Sequence, residues 1–525
     1  VSQDFSNSKG DSVRRISFFV VVVAFLIVPV QTALAGSLSL ADLRRQGVLP
    51  ALPAQSGLAD GHKAKAAAVV GDQRSFWTYD LSVMPPKNVQ IPATCRGVGD
   101  TVAVYVDDGD WGVVVDDEDI SSILVSFDES TPFGPGGISS RNLTMFGESG
   151  DIDGNGLLIL FLYRIPSYHG NYFDGFFRAE DLMANDPGCE NNPSLYCSNE
   201  AEMIHVQSIN CGTPYMAGVM AHEYQHLIHF GIDADEESWL NEAMSELAMS
   251  AAGYEDDGNV GAYVQDHSDA LETTGVVNYG AVMLWGSYLY ERFGGDFIKT
   301  LVEETQNGRD SVDAALASVE SGIGYADLFA DWAVSFSLAM LEDGTDFALV
   351  DVPHEGADED VEIPTGGEWS GGAVVVPASS FKSYFVTNAV TMNYELTAWF
   401  VGDEDVVVRV QEVFDGHWLL VVANPTLTEA PGMLSALWED TTPVVEFDHG
   451  WADSYEWVDI YGSNDSSGPD AGRQEDVDDL PDTGVVSEPS GGDGDCSAGS
   501  RGAPPWAFLL LLVAVLLSRF RWARS

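Results

Sequence analysis

Ala221-His-Glu-Tyr-Gln-His-Leu-Ile-His-Phe230 is the stretch on which the reading of the chain turns. It contains His222-Glu223-Tyr224-Gln225-His226, two histidines four apart with a glutamate after the first. Side chains four apart on a helix stand one above the other, so the segment predicts a helix whose two imidazoles can meet one zinc ion. Glu223 projects beside them, where it can take a proton from a water acidified by the metal and pass it to a leaving amine.

A zinc ion that does chemistry needs three protein ligands and an open position. Shortly downstream, Ser238-Trp-Leu-Asn-Glu-Ala-Met-Ser-Glu-Leu247 places Glu242 and Glu246 on one helical face. Glu242 is the natural third ligand. Glu246, one turn on, can accept a hydrogen bond from the far nitrogen of a ligand histidine, with His222 the candidate. A solvated helix face in an acidic chain is the alternative for both glutamates. The rival three-histidine pattern needs Gly and then His three and six positions after the second histidine, where this chain has His229 and Ile232. That favours a glutamate ligand, and His229 reads as a packing or surface residue.

Outward from this centre, residues 75–207 read as strand-rich. Thr101-Val-Ala-Val-Tyr-Val106 and Leu157-Leu-Ile-Leu-Phe-Leu-Tyr163 are apolar runs bounded by Asp and Gly, the second continuous enough for a buried central strand. From 215 to 341 the apolar period is helical, notably over 281–293 and 325–341. Strands followed by helices predict an α+β unit over residues 71–345. Alternation returns in Ser383-Tyr-Phe-Val386 and Asp405-Val-Val-Val-Arg-Val410, which predicts a separate small β-sandwich over 370–462. The segment before the first strand, 36–70, is read as a linker or propeptide.

The ends of the chain read as addresses. Arg14 and Arg15, the apolar run 16–30 and Ala33-Leu34-Ala35 form a three-part secretory signal over residues 1–35, with a membrane anchor as the alternative. Residues 463–500 are rich in Gly, Ser, Asp and Pro and read as an acidic stalk. The tail, 501–525, is a short apolar run trailed by Arg519, Arg521 and Arg524, which would hold that end in the cytoplasm and everything before it outside. Membrane contact is expected through this tail alone, as a processed sorting tail or as a plain membrane anchor. The 525 residues carry 23 basic and 82 acidic side chains, a formal charge of -59 that would repel a phosphate backbone and excludes nucleic acid as a partner. Composition leaves the oligomeric state open.

An exported chain permits disulfides. Cys189 and Cys197 flank a short polar loop and are the preferred pair, with Cys95 to Cys211 second; none has the CxxC spacing of a zinc knuckle. Asp151-Ile-Asp-Gly-Asn-Gly156 resembles the start of a calcium loop, but its twelfth position is Leu162 where a complete EF-hand has Glu. Partial Ca2+ binding, with Asp107, Asp108 and Asp110 as further oxygen donors, and a simple Asp/Gly turn both stay open.

His222-Glu-Tyr-Gln-His-Leu-Ile together with Trp239-Leu-Asn-Glu-Ala-Met-Ser-Glu resembles the gluzincin metallopeptidases, and most of all the hyicolysin family of secreted bacterial peptidases. Weaker matches extend from Asp151–Gly156 through Ser198-Asn-Glu-Ala-Glu-Met203 to Phe329-Ala-Asp-Trp-Ala333, and Ala243 stands where that family often has Gly. The resemblance implies a Zn2+ endopeptidase with His222, His226 and Glu242 as ligands and Glu223 as base, acting on protein or peptide substrates. It also implies a peptide-binding edge strand, which Ala201–Ser208 would supply. Similar gluzincin aminopeptidases use a tyrosine before Gly-Ala to stabilise the oxyanion, which points to Tyr279 in Asn278-Tyr-Gly-Ala281; core packing is the alternative. Cys496, the apolar run and the terminal arginines resemble the C-terminal sorting tails of myxobacterial surface proteins, implying a place at the cell envelope or release from it. The competing expectations are an inactive surface adhesion protein on a peptidase scaffold and a zinc hydrolase of non-peptide amides or esters.

Overall fold

The computed structural model describes residues 40–49 and 66–440, apart from 193–194, 255–256, 273–277, 342–346, 348, 351, 354, 364–367, 388–393 and 415–416. The expected signal peptide, stalk and tail, with Cys496, lie outside the described residues. Among the described residues no helix is long and apolar enough to cross a membrane.

The chain is α+β. A short helix, α1 (Leu40–Arg45), precedes β1 (Gln73–Asp80), β2 (Lys87–Val98) and β3 (Val102–Asp107). Then come α2 (Asp117–Leu124), the two-residue strands β4 (Ser130–Thr131) and β5 (Gly134–Pro135), α3 (Ile138–Phe146), β6 (Leu158–Tyr163), β7 (Gly175–Phe177) and β8 (Met203–Gln207). Helices follow: α4 (Pro214–Ile232), α5 (Ser238–Ala251), α6 (Asp257–Gln265), α7 (Tyr279–Phe293), α8 (Gly295–Glu303), α9 (Arg309–Ser318) and α10 (Tyr325–Leu341). Seven strands close the described chain: β9 (Glu359–Glu362), β10 (Glu368–Val376), β11 (Ser380–Thr387), β12 (Tyr394–Val401), β13 (Val407–Phe414), β14 (His417–Asn424) and β15 (Ala430–Asp440).

The first sheet has the order β1-β2-β3-β6-β8-β7, with β3, β6 and β8 parallel and β7 antiparallel to β8. All six residues of β6 are buried, as its unbroken apolar run requires of a strand covered on both faces. Alternate side chains divide two cores. Val102, Val104, Val106, Leu160, Leu162, Ile204 and Val206 face the helices, whereas Ala103, Tyr105, Ile159, Phe161, Tyr163 and Met203 face the other way, onto Phe76, Tyr79 and Leu40 and Leu43 of α1.

The strands after α10 form two small sheets, β10-β15-β12 and β13-β14-β11-β9, antiparallel throughout except for β9 against β11. They enclose Leu420, Val422, Leu434 and Ala436, which is the expected sandwich. It is not separate, however. Leu419, Val421 and Ala423 point out of its other side and, with Phe381, join the core that contains α10. Leu271 N donates to Ser379 O at 2.8 Å and Arg409 Nη2 to Asp327 Oδ1 at 2.7 Å. His417-Trp-Leu-Leu-Val-Val-Ala-Asn424 carries both faces of a doubly covered strand, a signal that alternation elsewhere in the region obscured.

Cys189 and Cys197 are bonded. The second expected pair is not formed: Cys95 and Cys211 are both free and buried. Cys95 belongs to the core on the α1 side of the sheet and Cys211 to the core on the helical side, so the sheet stands between them.

Candidate metal centre

The centre is built by two packed helices. Thr213 caps α4 by accepting from Met216 N, and Pro214 occupies the first helical turn, where its missing N–H costs nothing. Small residues let the helices approach closely: a Cβ on Gly218 of α4 would meet Met249 Cε of α5 at 2.8 Å, and one on Gly286 of α7 would meet Ala243 O of α5 at 2.5 Å. The packing brings His222, Glu223 and His226 of α4 and Glu242 and Glu246 of α5 to one cleft, which Tyr279 at the start of α7 also lines.

Three atoms converge there. His222 Nε2 lies 3.0 Å from His226 Nε2 and 3.3 Å from Glu242 Oε2, and His226 Nε2 lies 3.4 Å from Glu242 Oε2. Ligands held tetrahedrally at ~2.0–2.1 Å from one ion stand about 3.3 Å apart, so the triangle has the size that a single zinc requires. Glu242 is buried, yet its Oε2 makes no well-formed hydrogen bond. A cation at the centre of the triangle would satisfy it.

The opposite nitrogens are occupied. His222 Nδ1 lies 3.2 Å from Glu246 Oε1, and His226 Nδ1 lies 2.5 Å from Asn241 Oδ1 and 2.9 Å from Ser245 Oγ. Since the carboxylate and the amide oxygen can only accept, each imidazole donates from Nδ1, which leaves Nε2 facing the cleft as the nitrogen that would bind a metal. Asn241 is itself held, because its Nδ2 donates to His229 Nδ1 at 3.1 Å. His229 is packed inside, 1% exposed, and burial, with the neighbouring His226, lowers its pKa to about 3. It is therefore a neutral acceptor. Burial opposes a charge on His222 as well, but the neighbouring carboxylates of Glu242 and Glu246 raise its pKa well above the usual histidine value.

Glu223 is 7% exposed. Burial raises its carboxyl above the ordinary range, against the pull of the two histidines and of a hydrogen bond accepted from the backbone N–H of Phe177. That contact ties the residue to β7. The expected edge strand is thereby corrected: Ala201–Ser208 holds β8, which is enclosed between β6 and β7, and the edge bordering the cleft is the three-residue Gly175–Phe177. Its brevity and lack of alternation gave no strand signal. Tyr279 is 6% exposed with its ring centroid 6.3 Å from that of His222. Leu40 and Arg44 of α1 reach the same cleft, and Arg44 Nη2 donates to both oxygens of buried Glu180 at 2.7 Å.

No family model matches the chain, and no curated protein matches it. A His/His/Glu set on two helices that could hold a metal ion, with a carboxylate beside it and an open cleft in front, suggests a metal-dependent hydrolase.

A second cluster lies apart from this cleft. The carboxylates of Asp151, Asp153 and Glu202 come within 4.8 Å of one another. Burial and the two aspartates push Glu202 up to about 7. Sequence reading singled out the two aspartates but gave no role to Glu202, which contributes from the start of another strand, or to Asn241 and Ser245.

Proposed function

We propose that the chain is a zinc-dependent endopeptidase, with His222, His226 and Glu242 as ligands. The 3.0–3.4 Å triangle of Nε2, Nε2 and Oε2 carries this reading. Bound there, zinc supplies Lewis acidity toward a water and a substrate carbonyl. Glu223 accepts the proton of the attacking water and returns it to the leaving amine; its raised pKa suits a group that must both take and give a proton near neutrality. Tyr279, which lines the same cleft, would donate to the developing oxyanion.

The free edge of β7 supports a peptide substrate over a small amide or ester. Gly175, Phe176 and Phe177 border the cleft, and apart from the Phe177 N–H that Glu223 takes, their outward backbone groups can pair with an extended chain. Export, and retention at the cell envelope by the tail or release from it, belong to the same proposal. It is tested by incubating the purified chain with casein, measuring zinc in the same sample, and running Glu223→Gln beside it. About one zinc per chain, with cleavage abolished in the variant and zinc retained, is expected. No zinc in either protein overturns the reading and favours an inactive adhesion protein; zinc with activity on ester or amide substrates alone replaces the peptide by another acyl group.

A further inference from the structure

We propose that Asp151, Asp153 and Glu202 form a calcium site that ties the start of β6 to the start of β8. The inference does not depend on the zinc chemistry.

All the donors are carboxylate oxygens, and they lie within 4.8 Å of one another. Two oxygens on opposite sides of one Ca2+, each at ~2.4 Å, stand about 4.8 Å apart, so all three can share an ion. Proximity of acidic groups alone would be unremarkable in a chain this acidic. The deciding observation is Glu202, which is 5% exposed and whose Oε1 has no hydrogen-bond partner. The Glu202 carboxylate accepts from the backbone N–H groups of Asp153 and of Glu202 itself. A buried Oε1 without a donor beside two further carboxylates is nevertheless costly while charged, and either a proton or a shared cation relieves it. Three carboxylates within reach of one ion favour the cation. Asp153 is 3% exposed, while Asp151 stands at the surface. The site therefore has a closed side of protein oxygens and an open side for water, which suits the roughly six to eight oxygens that Ca2+ gathers. With no nitrogen or sulfur donor, it does not suit zinc.

The cluster has a structural consequence. Asp151 and Asp153 belong to the loop that enters β6, where Gly154 and Gly156 take positive φ of 68° and 73°. Glu202 immediately precedes β8, and its carbonyl accepts from Ile159 N of β6 at 2.9 Å. An ion here would fasten the loop where these two parallel strands begin, and β8 leads directly into α4. Ile152, between the two aspartates, packs against Leu182, Met183 and Phe230, and Phe230 lines the cleft.

The test is calorimetric titration of the full chain with CaCl2 in excess NaCl and Mg2+, which saturate diffuse binding to the acidic surface, together with thermal unfolding. Wild type should take up about one Ca2+ per chain and unfold at a higher temperature when it is bound. Asp151→Asn, at an exposed position that leaves the core intact, should bind about tenfold more weakly or worse; Glu202→Gln should lose saturable binding; Asp117→Asn on α2 should match wild type. Zinc content should be equal in all four proteins. Absence of saturable uptake by wild type, or uptake unchanged in Asp151→Asn, overturns the proposal. Should Glu202→Gln fail to fold, Asp151→Asn decides.

Discussion

His222 Nδ1 stands 3.2 Å from Glu246 Oε1, so the imidazole is gripped on the side turned away from Glu242. Removing that grip frees the ring to rotate and lets the proton move to the other nitrogen. Glu246→Ala should weaken zinc binding about 10–100-fold and lower kcat/KM, while Glu246→Gln, which keeps an accepting oxygen, should recover much of the loss. Competition with a chromophoric chelator measures the affinity.

The same contact has a pH consequence. The carboxylates of Glu242 and Glu246 beside the ring outweigh burial and raise the pKa of metal-free His222 well above the ordinary value, so the ring keeps its proton to higher pH than an ordinary histidine and zinc competes with that proton. Zinc affinity should rise with pH until His222 loses that proton unaided. Calorimetry in buffers of different ionisation enthalpy should show protons released on zinc binding by wild type, and fewer by Glu246→Ala.

On the other ligand, His229 accepts from Asn241 Nδ2 and so turns Asn241 Oδ1 toward His226. His229→Leu removes the acceptor that holds the amide nitrogen of Asn241. A flipped Asn241 would present a donor to His226 Nδ1, and zinc affinity should fall roughly tenfold with the fold retained. Far-ultraviolet circular dichroism alongside the chelator titration separates the two effects.

Gly175 is required by a close approach. A Cβ there would stand 2.9 Å from Val219 Cγ1 and 3.0 Å from Glu223 Cγ. Gly175→Ala should therefore displace the base while leaving the ligands in place, lowering kcat about ten- to hundredfold with unchanged zinc content. Steady-state kinetics on a peptide substrate, with metal analysis, tests this.

Arg44 and Glu180 join the segment before the first sheet to the cleft wall. Burial works against the Glu180 charge, but Arg44 and Arg178 hold its pKa down at about 2, below the ~4.5 of an unfolded glutamate. The unfolded chain takes up this proton first as pH falls. The stabilisation is thus complete above pH ~5 and lost between ~4.5 and ~2. Arg44→Met should lose roughly 3 kcal/mol at neutral pH and shift acid unfolding to higher pH, as read from urea midpoints across that range.

Much of this was legible in the sequence because the signals were long or chemically specific. The unbroken run at 158–163 could only be a covered strand, the helical period at 325–341 marked α10 to its ends, and the spacing of His222, His226 and Glu242 placed three donors on two helical faces. What escaped was short or depended on distant partners. Three residues of β7 have no period to detect. Asn241 looked like any polar residue until the packing of α4 on α5 put its amide between two histidines. Glu202 reaches Asp151 and Asp153 only because β6 and β8 pair in parallel, and the face of the sheet on which a cysteine falls, which separates Cys95 from Cys211, is set by register.

The two-faced burial of β14 bears on how the molecule comes apart. Phe381 stacks its ring edge-on against Trp332 and Phe336 of α10, with centroids 5.9 and 5.8 Å apart, and Leu419, Val421 and Ala423 extend that contact. A cut after Leu341 would open these side chains to water, and each large one so exposed forfeits about 2–3 kcal/mol, a substantial share of the net stability of a domain. The helices of the metal centre and the sandwich are therefore expected to melt as one cooperative body.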